Sequence, residues 1–318
     1  MKNAWCFRIP CILGVIVLTF LPWALSFAGP EVELSSPVGR GLQPHSPPLP
    51  GTGFALEFRL LPARAPAGPT VALFGALRAG RPYAERYGGR LAGAVRIVAV
   101  DPENGRVFQG TPERPGTAPL VPLSDREIEK QAHGDATVEE IVTYFHLDLV
   151  NQLGLPRESG KWKIFLWLDD RLSAMQEVNL PGPLAGERGR PATNGKSKHL
   201  RVQVAERAAV TTVQPGTLEL RNPKGSSPSP GRIHGGIHFG PGLPPDAKWL
   251  TVLSLCQQTR RLRYESVPLP PGAEGSAGVS FDFDSSALAG CGPKDERAFF
   301  VAVCGSALSR ALILERRR

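Results

Sequence analysis

The sequence predicts an all-β protein built from two similar sandwich domains that follow one another along the chain. Short apolar segments bounded by Gly, Pro, Asn or Asp recur throughout, which is the pattern of strands and turns. No long segment shows the 3.6-residue apolar period of an amphipathic helix. In addition, YFHLDL at 144–149 is nearly repeated as VSFDFD at 279–284, which indicates an internal duplication.

The N-terminus has the layout of a secretory signal peptide. Lys2 and Arg8 precede an almost uncharged run over 9–27, and Ser26 and Ala28 are the small residues that precede a cleavage site. We therefore predict a signal peptide over 1–28 and an exported protein. The alternative is a membrane anchor formed by 9–27, because this run approaches the roughly 20 residues that span a bilayer.

A segment rich in Pro, Ser and Gly follows over 29–50, and it predicts an extended linker because it offers little apolar surface to bury. The first domain is predicted over 51–182. Its first strand alternates apolar and polar residues, so one face is buried, and Asn104 and Gly105 favour a hairpin. Its seven predicted strands cover 54–60, 71–77, 95–100, 106–109, 140–150, 161–168 and 176–180.

A second Pro- and Gly-rich segment over 183–197 predicts a linker between the domains, and the second domain covers 198–318. Its seven predicted strands cover 200–204, 217–220, 249–256, 261–266, 279–283, 298–304 and 311–315. Seven short strands in about 120 residues resemble an immunoglobulin-like or fibronectin-like sandwich. The resemblance is to this broad class and covers both halves of the chain.

The repeat predicts how equivalent residues are used. An offset of 136 residues aligns Phe145 with Phe281, Asp148 with Asp284, Gly154 with Gly290, Leu172 with Leu308 and Ser173 with Ser309. Asp148 follows a strand, so we expect its carboxylate to accept backbone N–H bonds in the next turn. The run from Ile164 to Leu168 is wholly apolar and predicts a central strand that is covered on both faces.

Two loops are the predicted binding regions. The first, over 79–93, carries Tyr83, Arg86 and Tyr87, and Tyr and Arg are the residue types that dominate recognition surfaces. The second carries His234 and His238 around two glycines. Trp162 and Trp167 lie on one strand with opposite parity, so one of them points away from the core. We expect that side chain to be buried at the domain junction, and stacking on a sugar ring is the alternative.

His234 and His238 are the predicted metal ligands. Two imidazoles in a loop can converge on zinc, with Asp246 or Asp282 completing the ligand set, although a zinc site needs three or four ligands. Cys256 and Cys304 fall in strands and predict an inter-sheet disulfide, as in immunoglobulin domains. A Cys256 to Cys291 bond is the alternative, and one of the three cysteines after residue 28 must remain outside any internal pair.

Composition and motifs favour a non-catalytic protein. The formal net charge is +8, and we interpret Arg260, Arg261 and Arg263 as a solvated edge strand rather than a nucleic-acid site, because the chain is expected to be exported. The chain contains neither a Gly-x-Ser-x-Gly elbow nor a phosphate-binding Gly motif.

We predict a binding or scaffolding protein of the bacterial periplasm or exterior, with a protein or glycan ligand and no cofactor. The alternative is an exported metal-dependent hydrolase that uses His234 and His238.

Overall fold

Each half of the chain folds as two facing β-sheets, which confirms the all-β, tandem-sandwich prediction. The computed structural model describes residues 31–114, 117–118, 120–124, 127–128, 140–156, 160–180, 200–204, 218–221, 232–238, 247–270, 273, 278–291, 295 and 297–315. The predicted signal peptide (1–28) and the predicted linker (183–197) lie outside these residues. None of the helices within the described ranges has the length and apolar character needed to cross a membrane.

The first sandwich consists of sheets A and B. Its elements in chain order are β1 (Val32–Glu33), β2 (Val38–Arg40), β3 (Ala55–Ala65), β4 (Gly68–Gly80), α1 (Arg81–Arg86), α2 (Leu91–Ala94), β5 (Arg96–Val100), β6 (Val107–Gly110), β7 (Glu140–Asp148), β8 (Gly160–Leu168), β9 (Arg171–Leu172) and β10 (Gln176–Leu180). Sheet A has the order β1-β3-β4-β7-β2, and sheet B has the order β10-β8-β5-β6, with β9 also paired to β8.

The second sandwich consists of sheets C and D. Its elements are β11 (Leu200–Val204), β12 (Leu218–Arg221), β13 (Arg232–His238), β14 (Trp249–Cys256), β15 (Leu262–Pro268), β16 (Gly278–Asp284), α3 (Ser285–Ala289), β17 (Arg297–Cys304), β18 (Ala307–Leu308) and β19 (Leu312–Glu315). Sheet C has the order β11-β16-β13-β12, and sheet D runs β15-β14-β17-β18, with β19 paired to β17. These orders match β2-β7-β4-β3 in sheet A and β6-β5-β8-β9 in sheet B.

Equivalent residues of the two sandwiches make equivalent contacts at the predicted offset of 136. The Ser173 hydroxyl accepts the Leu166 backbone N–H at 2.9 Å, and the Ser309 hydroxyl accepts the Ala302 N–H at 2.9 Å. Gly154 and Gly290 both have a left-handed backbone, with φ of 71° and 48°. The structure therefore supports the internal duplication.

A glycine faces the first phenylalanine of the repeated phrase in both sandwiches. Gly75 pairs with Phe145 across β4 and β7, and Gly235 pairs with Phe281 across β13 and β16. A Cβ on Gly75 would lie 2.2 Å from the Phe145 ring, so glycine leaves the space that the ring occupies. Asp148 ends β7 and accepts the backbone N–H groups of Val150 and Asn151, each at 3.0 Å, as predicted.

The N-terminal segment that we predicted as an extended linker takes part in sheet A. Within it, β1 runs parallel to β3, and β2 pairs antiparallel with β7. Leu34 and Val38 are buried, because Leu34 packs with apolar residues on the outer face of sheet A and Val38 enters the core. These two side chains provide the apolar surface that composition alone did not reveal.

Besides the small cluster around Leu34, three larger apolar clusters lie between the sheets. The first lies between sheets A and B, and the second between sheets C and D. The third joins the outer faces of sheets B and D, and it consists of Val98, Val100, Val107, Phe165, Trp167, Leu253, Leu255, Leu262, Phe299, Val301 and Val303. We call this third cluster the junction. Strands β8 and β17 contribute to the junction and to one core each, so they are covered on both faces, as predicted for Ile164–Leu168.

The two tryptophans of β8 are buried, which agrees with the expected burial at the domain junction and not with the sugar-stacking alternative. Trp162 lies in the core of the first sandwich, and Trp167 lies in the junction. Both are at most 1% exposed, so neither presents a ring on which a sugar could stack. Their opposite parity on β8 instead directs one ring to each side of sheet B.

Candidate functional site at the junction

A buried aspartate organises one end of the junction. Asp169 lies in the turn between β8 and β9, has a φ of 52° and is 2% exposed. Its Oδ2 accepts a hydrogen bond from the Tyr83 hydroxyl at 2.9 Å and another from the Tyr87 hydroxyl. Its Oδ1 accepts a bond from Arg260 Nη1 at 2.5 Å. The first sandwich thus supplies a carboxylate and two hydroxyls, and the second supplies the guanidinium.

Arg260 connects the two sandwiches through three groups. It lies in the turn between β14 and β15, with a φ of 51° and 3% exposure. Besides the bond to Asp169, its Nη2 donates to the Ala94 carbonyl oxygen at 2.6 Å. Its own carbonyl oxygen accepts a bond from Arg96 Nη2 at 2.6 Å. The prediction that Arg260 is solvated was therefore wrong, whereas Arg261 and Arg263 are exposed as expected.

Burial and neighbouring charges keep Tyr83, Tyr87 and Arg260 each in one protonation state. Burial raises the pKa of Tyr87 and of Tyr83, and the charge of Asp169 raises both further. Burial alone would lower the pKa of Arg260, but Tyr87 and Asp169 outweigh burial and raise it. The hydroxyls therefore stay neutral and the guanidinium stays charged around neutral pH. Acid–base catalysis requires a group that takes up or releases a proton near pH 7. These three side chains do neither.

The residues predicted as the first binding loop are brought together, but they point inwards, because Tyr87 belongs to the core of the first sandwich and Tyr83 packs against it. Tyr83 lies on α1 and Tyr87 directly after it, with ring centroids 5.9 Å apart, and Tyr87 is 1% exposed. Arg86 Nη1 lies 3.9 Å from Asp169 Oδ2. The predicted exposed loop is thus a short helix and the residue that follows it, and their two tyrosine hydroxyls bind Asp169. Sequence reasoning missed both partners of this pair, because Asp169 beside Asp170 resembles a hairpin turn and Arg260 was predicted to lie on a solvated edge strand.

The predicted metal ligands lie on a strand rather than in a loop. His234 pairs with Asp282, and His238 pairs with Gly278, across β13 and β16. The structure thus brings the backbone of His234 next to that of Asp282, one of the residues proposed to complete a ligand set. Asp246, the other one, lies outside the described residues. Metal binding by His234 and His238 stays a prediction.

The disulfide joins Cys256 to Cys291, so the predicted Cys256–Cys304 bond is wrong and the alternative is confirmed. Cys256 and Cys304 lie on neighbouring strands of one sheet, where Cys256 pairs with Ala298 and Cys304 pairs with Leu250. Six residues of strand separate these positions by about 20 Å, which a disulfide cannot bridge. Cys304 is instead buried in the core of the second sandwich.

Within the described ranges, three side chains of the types that bind metals lie close together, namely Cys256, Cys291 and Asp295. Both of its sulfur atoms belong to the disulfide. The Asp295 carboxylate accepts the backbone N–H groups of Gln258 and Thr259, at 2.8 and 2.9 Å. This group is therefore a structural clamp on the turn that carries Arg260.

No family model matches the chain, and no curated protein sequence matches it. Among solved structures, it is similar to the FN1–FN3 domains of chicken CNTN1, with 10% identity and a TM-score of 0.19, over 78% of this chain and 60% of that one. It is also similar to a segment of two fibronectin type-III domains from chicken tenascin, with 10% identity and a TM-score of 0.16, over 82% of this chain and 98% of that one. The chain thus spans 60% of the length of the CNTN1 structure. The assignment to tandem sandwiches rests on the sheet orders of the chain itself.

Proposed function

We propose that the chain is an exported, non-catalytic binding or scaffolding protein whose two sandwiches act as one rigid body. The observation that carries this proposal is the junction, in which an apolar cluster and the Asp169–Arg260 pair join sheets B and D. Domains in one chain are expected to move against each other unless their interface is large and apolar. A rigid pair presents its end loops at a fixed separation, which suits a scaffold.

Two features support export and the absence of catalysis. Disulfides persist in oxidising compartments, and Cys256–Cys291 agrees with the predicted signal peptide in this respect. The charged groups at the junction satisfy one another, so they serve packing rather than proton transfer. We place the protein in a bacterial periplasm or outside the cell, with a glycan or a protein of that compartment as its ligand.

A glycan array tests the binding function. The chain from Gly29 is applied to immobilised glycans, and each bound glycan is then recovered and weighed by mass spectrometry. Saturable binding with the glycan recovered intact supports the proposal. Shortened or otherwise altered glycan would overturn the non-catalytic assignment, and an array with no hits would direct the search to protein ligands.

A metal-dependent hydrolase is the second candidate, and one observation favours it: the register of β13 and β16 that pairs His234 with Asp282. Elemental analysis of the purified chain tests it. Near-stoichiometric zinc that is lost in a His234→Ala, His238→Ala double variant supports this candidate. His45→Ala is the matched control, because His45 lies against Phe74 on the first sandwich. Absence of zinc removes the candidate.

A further inference from the structure

A second charged cluster lies beside the junction, around Glu113. Arg90 donates to Glu113 Oε1 through Nη2 at 2.6 Å and through Nε at 3.1 Å. Arg40 donates to the same oxygen through Nη2 at 3.3 Å. Arg40 comes from β2, in the N-terminal segment, whereas Arg90 directly precedes α2. One carboxylate oxygen therefore serves two arginines from separate parts of the chain.

Glu113 is held in place independently of these arginines. Its carboxylate packs on Gly93, where a Cβ would lie 2.1 Å from Oε1. Its backbone carbonyl oxygen accepts a bond from Gln152 Nε2 at 3.0 Å, and its side chain is 10% exposed. The arginines can change their orientation, but the carboxylate has little room to follow them.

Arg96 adds a third positive charge that Glu113 does not neutralise. Burial, followed by the charge of Arg260, lowers the pKa of Arg96 to about 10, and Glu113 opposes this shift only in part. Arg96 Nε is buried and meets no acceptor among the residues that the structure describes. Arg40, Arg90 and Arg96 thus share one carboxylate, and an arginine stays charged at any ordinary pH. The cluster has an excess of positive charge in a partly desolvated setting.

Arg40 and Arg90 have N–H donors that Glu113 does not use. The side chain of Arg40 is 52% exposed and that of Arg90 is 31% exposed. A guanidinium carries five N–H donors in a planar fork that matches the oxygens of phosphate and sulfate. In the described part of the chain, the Nη1 groups of Arg40 and Arg90 have no acceptor. Both side chains can bind Glu113 and an external oxyanion together.

We propose that Arg40 and Arg90 form a binding site for a sulfate or phosphate ester group, which the extracellular ligand carries. This inference rests on the proposed function and narrows its ligand to the anionic class. The two arginines bind the ester oxygens, Arg96 adds a positive charge nearby, and Glu113 fixes the spacing of the two arginines. The ester binds the N–H donors that Glu113 leaves unused, and the negative charge of Glu113 opposes its binding, so the carboxylate limits the affinity.

Calorimetric titration of the chain from Gly29 with dextran sulfate, and with uncharged dextran, tests the site. Dextran sulfate is expected to bind and dextran is not, with an affinity that falls as NaCl is added. Inorganic sulfate and inorganic phosphate are then compared as competitors, and the stronger competitor identifies the ester. Binding of both polymers with equal affinity would overturn the proposal.

Variants separate this site from general attraction by a basic protein. An Arg40→Ala, Arg90→Ala double variant should bind dextran sulfate at least tenfold more weakly. Arg64→Ala is the matched control, because Arg64 is an exposed arginine that pairs with Glu31 at 3.4 Å; it should change the affinity less than twofold. If Arg64→Ala weakened dextran sulfate binding as much as the loss of Arg40 or Arg90 does, the arginines would act through general charge and the defined site would be contradicted. Thermal melting of each variant checks that it folds.

Glu113→Gln gives the outcome that a merely structural ion pair would not produce. Removing the negative charge of Glu113 should strengthen dextran sulfate binding at least threefold, whereas it would leave binding unchanged if Arg40 and Arg90 only stabilised the fold. A neutral glycan found on the array, with affinity unaffected by the double variant, would overturn this site and leave the proposed binding function intact.

Discussion

Asp169 and Arg260 form an ion pair across the junction, and glycine aside they are the two described residues with a left-handed backbone. At the offset of 136, Asp169 corresponds to Gly305, and Arg260 in the β14–β15 turn corresponds to Gly105 in the equivalent β5–β6 turn. Both glycines also have positive φ, 54° and 63°. Each sandwich therefore places glycine where the other places a charged residue. A left-handed backbone costs an ordinary residue about 1 kcal/mol, so the ion pair occupies two turn positions that glycine would fill at lower cost.

Removing one member of this pair should destabilise the protein strongly. Asp169→Ala leaves Arg260 charged and buried and removes the acceptor of two tyrosine hydroxyls, so we expect a loss of about 4 kcal/mol in the free energy of unfolding. Arg260→Ala should cost about 3 kcal/mol, because the tyrosines still donate to Asp169. Urea denaturation measures both losses.

The double variant and a neighbouring aspartate provide the controls. Asp169→Ala with Arg260→Ala should cost clearly less than the sum of the two single losses, since no unpaired charge is left. Asp170→Ala should cost less than about 0.5 kcal/mol, because Asp170 is a more exposed neighbour, 3.6 Å from Arg171. Additive losses in the double variant would show that the two charges are not coupled.

The junction predicts that the two sandwiches stay together without a covalent link. A protease site is inserted in 183–197 and cleaved under native conditions. The two fragments should elute together from a sizing column, because the apolar junction and the Asp169–Arg260 pair hold them. Separate elution would contradict a rigid body. Val301→Asp, which buries a charge in the junction, should separate the cleaved fragments.

The strands were predictable because their apolar patterns are local. All fourteen strands predicted from the sequence are present, and the wholly apolar run of β8 correctly indicated a strand covered on both faces. β13 was missed because Gly235 and Gly236 resemble a loop, although Gly235 is the partner of Phe281. Helices α1 to α3 contain four to six residues each and are too short to show a helical period.

The candidate site was not predictable, because its residues lie far apart in the chain. Tyr83 and Tyr87 were singled out for their residue types, but their partner Asp169 lies more than eighty positions away. Arg260 sits in a cluster of exposed arginines, and no local pattern distinguishes the buried member. Only the packing of sheet B against sheet D brings the two turns together.

The disulfide should stabilise the second sandwich. Closing a loop of 35 residues lowers the entropy of the unfolded chain by an amount worth about 3 to 4 kcal/mol. Cys256→Ala with Cys291→Ala should lower the free energy of unfolding by roughly that much in urea. In the chain from Gly29, alkylation and mass spectrometry should show one reactive thiol, at Cys304, and only after unfolding, because Cys304 is buried. Reaction at Cys256 or Cys291 in the unreduced protein would contradict this pairing.

His146 should make stability depend on pH. Burial lowers its pKa below 6.5, against the opposing effect of a backbone hydrogen bond at Ser36, and a Cβ on Gly39 would lie 2.0 Å from the imidazole. As the pH falls below 6.5, His146 therefore binds more protons in the unfolded chain than in the folded chain. The contribution of His146 to stability is thus fully present above pH 6.5 and declines as the pH falls towards its pKa in the folded chain. Urea midpoints measured between roughly pH 7.5 and pH 5 should decline less steeply for His146→Gln than for the original chain. Parallel declines would show that His146 titrates alike in the folded and unfolded protein.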